Sequence, residues 1–295
     1  MNRSQHKRRK PQVSPRVWWR VLRRVMAAAD RFNLGPLAAG VAFYAMLSIF
    51  PALAATIGIW GFVADPLVMQ DQLELARQLL PDDAFKLLND QVSALIAANN
   101  STLQLASILS ILLAIWTARN AVATVIRGLN VIYRADHHTA LKRYAMALGL
   151  TFLLILIALL AFAAVVVIPA ILAYVQIPVG LEMTITTAKW LVLLVAVFFG
   201  IGLLYRFGPN RRAAKPGFVT PGAVLALVVW AAGSFALSTY LRNFGSFNEV
   251  YGSLGAIVGL LFWFYISAYI VLLGALLNAE LERSALQTTA DVDGS

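Results

Sequence analysis

The sequence predicts an all-α integral membrane protein, with six transmembrane helices, an amphipathic N-terminal helix, and an external helical hairpin between the first two spans. Three observations lead there. Apolar residues make up 60% of the chain and charged residues 13%, where a soluble domain carries about 25% charged. From Ala147 to Val175 the chain runs 29 residues without a charge, and roughly 20 apolar residues cross the ~30 Å hydrocarbon core of a bilayer. Five further apolar segments flank that one, and water does not host helices that are apolar all round.

Residues 1–33 read as a basic cytoplasmic tail followed by an interfacial helix. "RSQHKRRKPQVSPR" lacks an apolar face, whereas "VWWRVLRRVMAAADRF" offers Trp18, Trp19, Leu22 and Val25 to the membrane interface. Arg20, Arg23, Arg24 and Arg31 then meet anionic lipid headgroups. Membrane lipids account for this basic cluster, and no nucleic acid is needed as a partner.

The membrane domain is read as residues 34–283. Its spans are expected at about Leu37–Val63, from Leu103 to Ala118 and onwards, Tyr144–Val175, Ala188–Tyr205, Val219–Tyr240 and Leu254–Leu277. The segment of about 64–102 is acidic, and Pro66 and Pro81 divide it into two short helices. Phe85, Leu88, Val92 and Leu95 give its second helix an apolar face, which either packs on the bundle or docks an envelope protein. Residues 284–295 read as a disordered cytoplasmic tail.

The distribution of Lys and Arg sets the orientation. Ten lie in the N-terminal tail, five between the second and third spans, four between the fourth and fifth, and Arg283 follows the sixth. The opposite side has Arg77, Lys86, Lys189 and Arg242. This bias predicts that both termini lie in the cytoplasm.

Zero cysteines remove disulfides and thiolate chemistry. His6, His137 and His138 fall in polar segments without further ligands, so no metal or other cofactor is expected. No phosphate-binding loop, nucleophile elbow or zinc-protease motif is present, and the chain reads as no enzyme.

Candidate functional positions lie within the membrane. In the first span Gly40, Tyr44, Ser48, Pro51, Ala55 and Gly58 share an arc of about 80° at helical spacing, and Pro51 should kink or loosen that helix. In the fifth, Gly222, Ala226, Gly233 and Tyr240 align. In the sixth, Gly252, Ala256, Gly259, Ser267, Gly274 and Asn278 do. Such stripes serve either close helix packing or a cavity wall, and they leave oligomeric assembly open.

The second helix continues as "RNAVATVIRGLNVIYR", with Arg119, Asn120, Thr124, Arg127, Asn130 and Arg134 on one face. That face either anchors the helix in the cytoplasm or receives an anionic group, because Arg binds phosphate and carboxylate bidentately. Glu280, near the end of the sixth span, is expected to pair with Arg119 or Arg127. Glu249 and Tyr251, in "RNFGSFNEVYGSLG", are candidate gate residues on the external side.

"LAAGVAFYAMLSIFPAL", "RFGPNRRAAKPGFVTPGAVLALVVWAAGSFALSTYL" and "YGSLGAIVGLLFWFYISAYIVLLGALLNAEL" resemble the YihY/BrkB family over Leu34 to Arg283. The most specific pieces are "GPN" at Gly208–Asn210, "PGA" at Pro221–Ala223, "YGSLGA" and "LLGALLNAE". The resemblance implies a six-span bacterial inner-membrane protein linked to envelope integrity, serum resistance and lipid or lipopolysaccharide export. Some relatives carry a ribonuclease label that this sequence does not support. Where the family commonly has an acid, this chain has Leu276, so ion coupling would rest on Glu280 or be lacking. Taken together, the residues predict a transporter or flippase for an anionic lipid or amphipathic solute, with a non-transporting membrane scaffold as the alternative.

Overall fold

The computed structural model describes residues 15–63, 77, 85–86, 89–90, 100–135, 139–167, 179–211, 216–243 and 253–293. These form seven long helices and, among the described residues, no strand. They are α1 (Pro15–Arg31), α2 (Leu34–Val63), α3 (Asn100–Tyr133), α4 (Ala140–Phe162), α5 (Val179–Phe207), α6 (Pro221–Asn243) and α7 (Ser253–Asp293). Beyond Phe162, α4 continues as a π-helical turn over Ala163–Val167. Six of them, α2 to α7, are long and apolar enough to cross a membrane. Most of the expected external hairpin lies outside the described residues, as do Glu249 and Tyr251.

Two breaks have a local cause. Asn33 takes φ of 52°, a left-handed conformation that Asn tolerates better than most residues, and the chain there turns from α1 into α2. Arg134 takes φ of 50° at the end of α3. Its own N–H bonds the Val131 carbonyl at 3.2 Å, and the Ala135 N–H bonds the Asn130 carbonyl at 2.9 Å. These bonds satisfy carbonyls that the last helical turn leaves open.

Helix α2 runs through Pro51 without interruption of its helical pattern, and its side chains there are largely exposed, Phe50 and Leu53 among them. Two expectations need correction. The sixth span does not stop at Leu277: α7, 41 residues long in all, runs on to Asp293, across most of the segment read as a disordered tail. No Gly or Pro interrupts it between Gly274 and Gly294, and Ala, Leu and Gln favour the helix. Val25 of α1, expected in the lipid interface, is instead buried at 2% exposure with Ala29, where α1 packs on α7.

Around the bundle each helix touches the next, from α2 through α7 and back to α2, and α7 also meets α3. The ends of the helices near Leu34, Tyr133, Ala140, Phe207 and Pro221 lie together with most of the described basic residues, and we call this the basic end. The core is concentrated there. Leu34, Ile126, Leu129, Ile132, Tyr205, Leu272 and Leu276 are essentially inaccessible. In the other half of the helices (45–56, 105–116, 152–165, 187–199, 227–240 and 257–267), the buried positions among those described are Ala55, Ser107 and Ala161. One half of the bundle is thus packed solid, while the other presents its side chains outward.

Candidate functional site

The sealed half is built around the start of α6. The sequence "TPGA" places Thr220 as N-cap and Pro221 at the first helical position, each the preferred residue type there. The Thr220 hydroxyl accepts from the Ala223 N–H at 3.2 Å. Asn278 of α7 then locks onto this turn. Its Oδ1 accepts from the Gly222 N–H at 2.7 Å, and its Nδ2 donates to Thr220 Oγ1 at 2.9 Å. The approach needs glycine on both helices: a methyl on Gly222 would overlap the Gly274 carbonyl oxygen, and one on Gly274 would stand 2.5 Å from Gly222 O and from the Tyr205 hydroxyl. Tyr205, fully buried on α5, donates to the Val271 carbonyl at 2.6 Å.

The "GPN" turn after α5 is fixed in a similar way. Gly208 has no room for a side chain, since Leu129 Cδ1 lies 2.7 Å from where its Cβ would be. The Asn210 N–H then donates to Asn130 Oδ1 at 2.8 Å. The "GPN", "PGA" and "LLGALLNAE" pieces of sequence, spread over 73 residues from Gly208 to Glu280, therefore meet in one hydrogen-bonded knot between α3, α5, α6 and α7.

Charges close its rim. Arg211 pairs with Glu282 and stacks on the Tyr133 ring with its guanidinium 4.3 Å from the centroid. Arg283 pairs with Glu280, donates to the Ile132 carbonyl at 2.7 Å and lies over the Phe32 ring. Glu280 is 8% exposed, and a carboxylate so desolvated requires a partner. The expected pairing of Glu280 with Arg119 or Arg127 is not formed. Three residues further along the same helix, Arg283 reaches it with less loss of side-chain freedom.

Arg119 and Arg127 stand elsewhere, on the α3 face that α4 covers only in part. Leu105, Leu109, Leu112 and Trp116 form an exposed apolar stripe on α3, and at 100° per residue Arg119 and Arg127 continue it within about 80°. Arg119 donates to Asn120 Oδ1 at 3.0 Å, and its guanidinium lies 4.1 Å from the centroid of Tyr144 on α4. Its buried Nε has no hydrogen-bond partner, and no carboxylate among the described residues pairs with it. Arg127 is exposed and donates to Ala123 O and Thr124 Oγ1 on its own helix.

The remaining candidates are dispersed. Tyr44 packs edge-on against Phe43, and Ser48 donates to Ala45 O at 2.7 Å, three residues before Pro51. Ser267 accepts from Trp230 Nε1 at 3.0 Å, while Trp263 Nε1 donates to Ser234 at 3.2 Å, so α6 and α7 exchange two indole–hydroxyl bonds. Sequence reasoning missed Thr220, Tyr205, Tyr133 and the role of Arg211, and it gave Glu282 no partner. Only the "GPN" and "PGA" pieces, quoted for the family resemblance, lie near them in sequence.

Comparison with known proteins places the chain in a family. The chain is 28% identical over 250 residues to YfkH of Bacillus subtilis, a protein whose name reads ribonuclease-like, covering 83% of this chain and 89% of that one. It is 30% identical over 257 residues to a UPF0761 membrane protein of Verminephrobacter eiseniae, covering 84% of this chain and 59% of that one. A UPF0761 membrane protein of Idiomarina loihiensis is 36% identical over 98 residues, a third of each chain. No solved structure matches. The profile of the virulence factor BrkB family matches residues 25–293, which takes in every helix of the bundle and all three motifs of the knot. This multi-pass membrane protein belongs to the virulence factor BrkB family.

Proposed function

We propose that this protein is an inner-membrane transporter or flippase for an anionic lipid or amphipathic solute, acting in envelope maintenance, with the basic end in the cytoplasm. The observation that carries this reading is Arg119. It lies 14 residues before the end of α3, about 21 Å of helix from the basic end at 1.5 Å per residue, on the continuation of an exposed apolar stripe. A charge at such depth is expensive and normally marks a pathway or a ligand. Asn120 and Tyr144 hold the guanidinium without neutralising it, so an oxyanion on an amphipath can reach it from the bilayer, with Arg127 next along the same stripe. Tyr44, Ser48 and Pro51 mark the midplane of the route, and Asn278 and Glu280 belong to the seal below it. Among the described residues the half of the bundle away from the basic end has little buried core, which supports an outward-facing arrangement. The reading assigns the chain no enzymatic activity.

The test is reconstitution in vesicles, following labelled phospholipids and organic anions. Movement above that in empty vesicles is expected, and it should fall at least tenfold, about the weight of a charged hydrogen bond, in the Arg119→Ala, Arg127→Ala double variant. No movement by the parent protein, or equal movement by both, would remove the claim. The scaffold alternative rests on one specific observation, the backbone contact of Gly222 with Gly274, which shows that at least part of the small-residue stripes serves packing. It predicts vesicles in which nothing moves.

A further inference from the structure

At the basic end, on a different face of the fold from Arg119, a second arginine is left with unused binding capacity. The Arg211 side chain is 9% exposed, and its Nη2 meets Glu282. Its Nη1 is buried with no hydrogen-bond partner. The guanidinium lies on the Tyr133 ring. The hydroxyl of that ring, beside Asn278, is also buried and makes no hydrogen bond of ordinary geometry. Asn278 itself is engaged by Gly222 and Thr220. The guanidinium thus lies over the ring that carries the second unsatisfied group, and both groups can donate, so what the site lacks is an acceptor.

We infer that Arg211 and Tyr133 form an internal oxyanion site, held by the chain's own Glu282, that accepts the phosphate or carboxylate of an incoming ligand in its place. The guanidinium fork matches two oxygens at once, whereas Glu282 engages one of its ends. A bidentate oxyanion would take Nη1 together with Nη2 and leave an oxygen for the Tyr133 hydroxyl. Glu282 can yield, because its side chain is 44% exposed on the rim and returns to solvent when displaced. Arg211 cannot, because the neighbouring Asn210 N–H is fixed to Asn130 and the guanidinium is stacked in place. Burial adds strength, since a desolvated arginine attracts an anion more strongly than a surface one. The inference does not depend on transport through Arg119.

The experiment uses the full-length protein in micelles of an uncharged maltoside detergent and follows thermal unfolding. One arm adds inorganic phosphate against chloride at matched ionic strength, and the other adds phosphatidylglycerol without free phosphate. The parent protein should gain a saturable rise in midpoint. Glu282→Gln, which removes the internal competitor, should bind roughly tenfold tighter, and Tyr133→Phe roughly tenfold weaker, as expected for contacts to a charged group. Arg211→Ala should show no response, and the first two variants keep the test decisive if that one does not fold. A response to phosphate supports a site for free oxyanions. A response confined to phosphatidylglycerol supports the same site with a lipid headgroup as its source. The inference is overturned if neither addition shifts the midpoint. It is overturned equally if all variants respond alike, because phosphate stabilises many proteins through solvent exclusion.

Discussion

Replacing Gly222 by alanine should force α6 and α7 apart at their tightest point, and the structure allows the size of the effect to be worked out. The added methyl would overlap the Gly274 carbonyl oxygen and come within 2.7 Å of the Asn278 side chain. A backbone carbonyl cannot rotate away as a flexible side chain can, so the helices must separate by roughly 1 Å or more to restore ordinary contact. Overpacking of this kind destabilises by about 1–3 kcal/mol. The same separation stretches the Gly222-to-Asn278 bond of 2.7 Å and the Asn278-to-Thr220 bond of 2.9 Å, each contributing about 1 kcal/mol. The sum is about 3–5 kcal/mol, or a midpoint lower by roughly 6–20 °C in detergent at the ~2–4 °C per kcal/mol of large domains. The control is Gly149→Ala on α4, where a methyl meets nothing within 4 Å; it should leave the midpoint unchanged or slightly raised, since alanine is the better helix former. Thermal unfolding of the three proteins side by side, read by loss of helical circular dichroism, decides the matter. If the two substitutions prove indistinguishable, the close approach of α6 and α7 is wrong, and with it the account of the knot.

Three other outcomes are expected. Arg283→Met should destabilise by about 3–5 kcal/mol because it strands the buried Glu280 carboxylate, and adding Glu280→Gln should recover most of that; unfolding of the single and double variants would show whether it does. Asn33→Gly should be neutral or slightly stabilising, while Asn33→Val should cost about 1–2 kcal/mol, since φ of 52° suits glycine and opposes a β-branched residue. A double-mutant cycle on Trp230→Phe and Ser267→Ala should give a coupling of about 0.6 kcal/mol, the usual value for such a bond between membrane helices, and a coupling of zero would mean that the indole and hydroxyl do not meet.

How far the sequence disclosed these features depended on their period. Apolar runs announce themselves in any window of 20 residues, so the six spans were legible, with errors confined to ends such as that of α7. Asn130 and Asn278 were also legible as polar positions, one on the basic face of the second helix and one on the small-residue stripe of the sixth, but the partner of each was not. The Asn130 ligand lies 80 positions away in the "GPN" turn and the Asn278 ligand 56 positions away at the start of α6. No local pattern carries separations of that size. Glu280 shows the reverse error. A distant partner was sought in Arg119 or Arg127, when an arginine three residues on at the next turn was available. For Tyr205 there was no signal, since one aromatic in an apolar helix looks like lipid-facing surface until the helix is placed against α7.

The distribution of packing bears on how a bundle of this kind could move. Among the described residues, most hydrogen bonds between helices fall at the basic end, where the start of α6, the turn after α5 and the ends of α3 and α7 are bound to one another by Asn130, Tyr205, Asn278 and Arg283. The described parts of the other half have few buried side chains to resist displacement, and between α6 and α7 the two indole–hydroxyl bonds are their main polar tie. Packed interfaces switch between discrete arrangements and do not deform smoothly. Rearrangement confined to the loosely packed half would therefore leave the knot as the pivot, whereas passage through the basic end would require Asn278 to release Gly222 and Thr220 together. Trapping α6 on α7 by a cross-link at the knot distinguishes these. Vesicle transport that survives the cross-link makes the knot a pivot, and transport abolished by it makes the knot a gate.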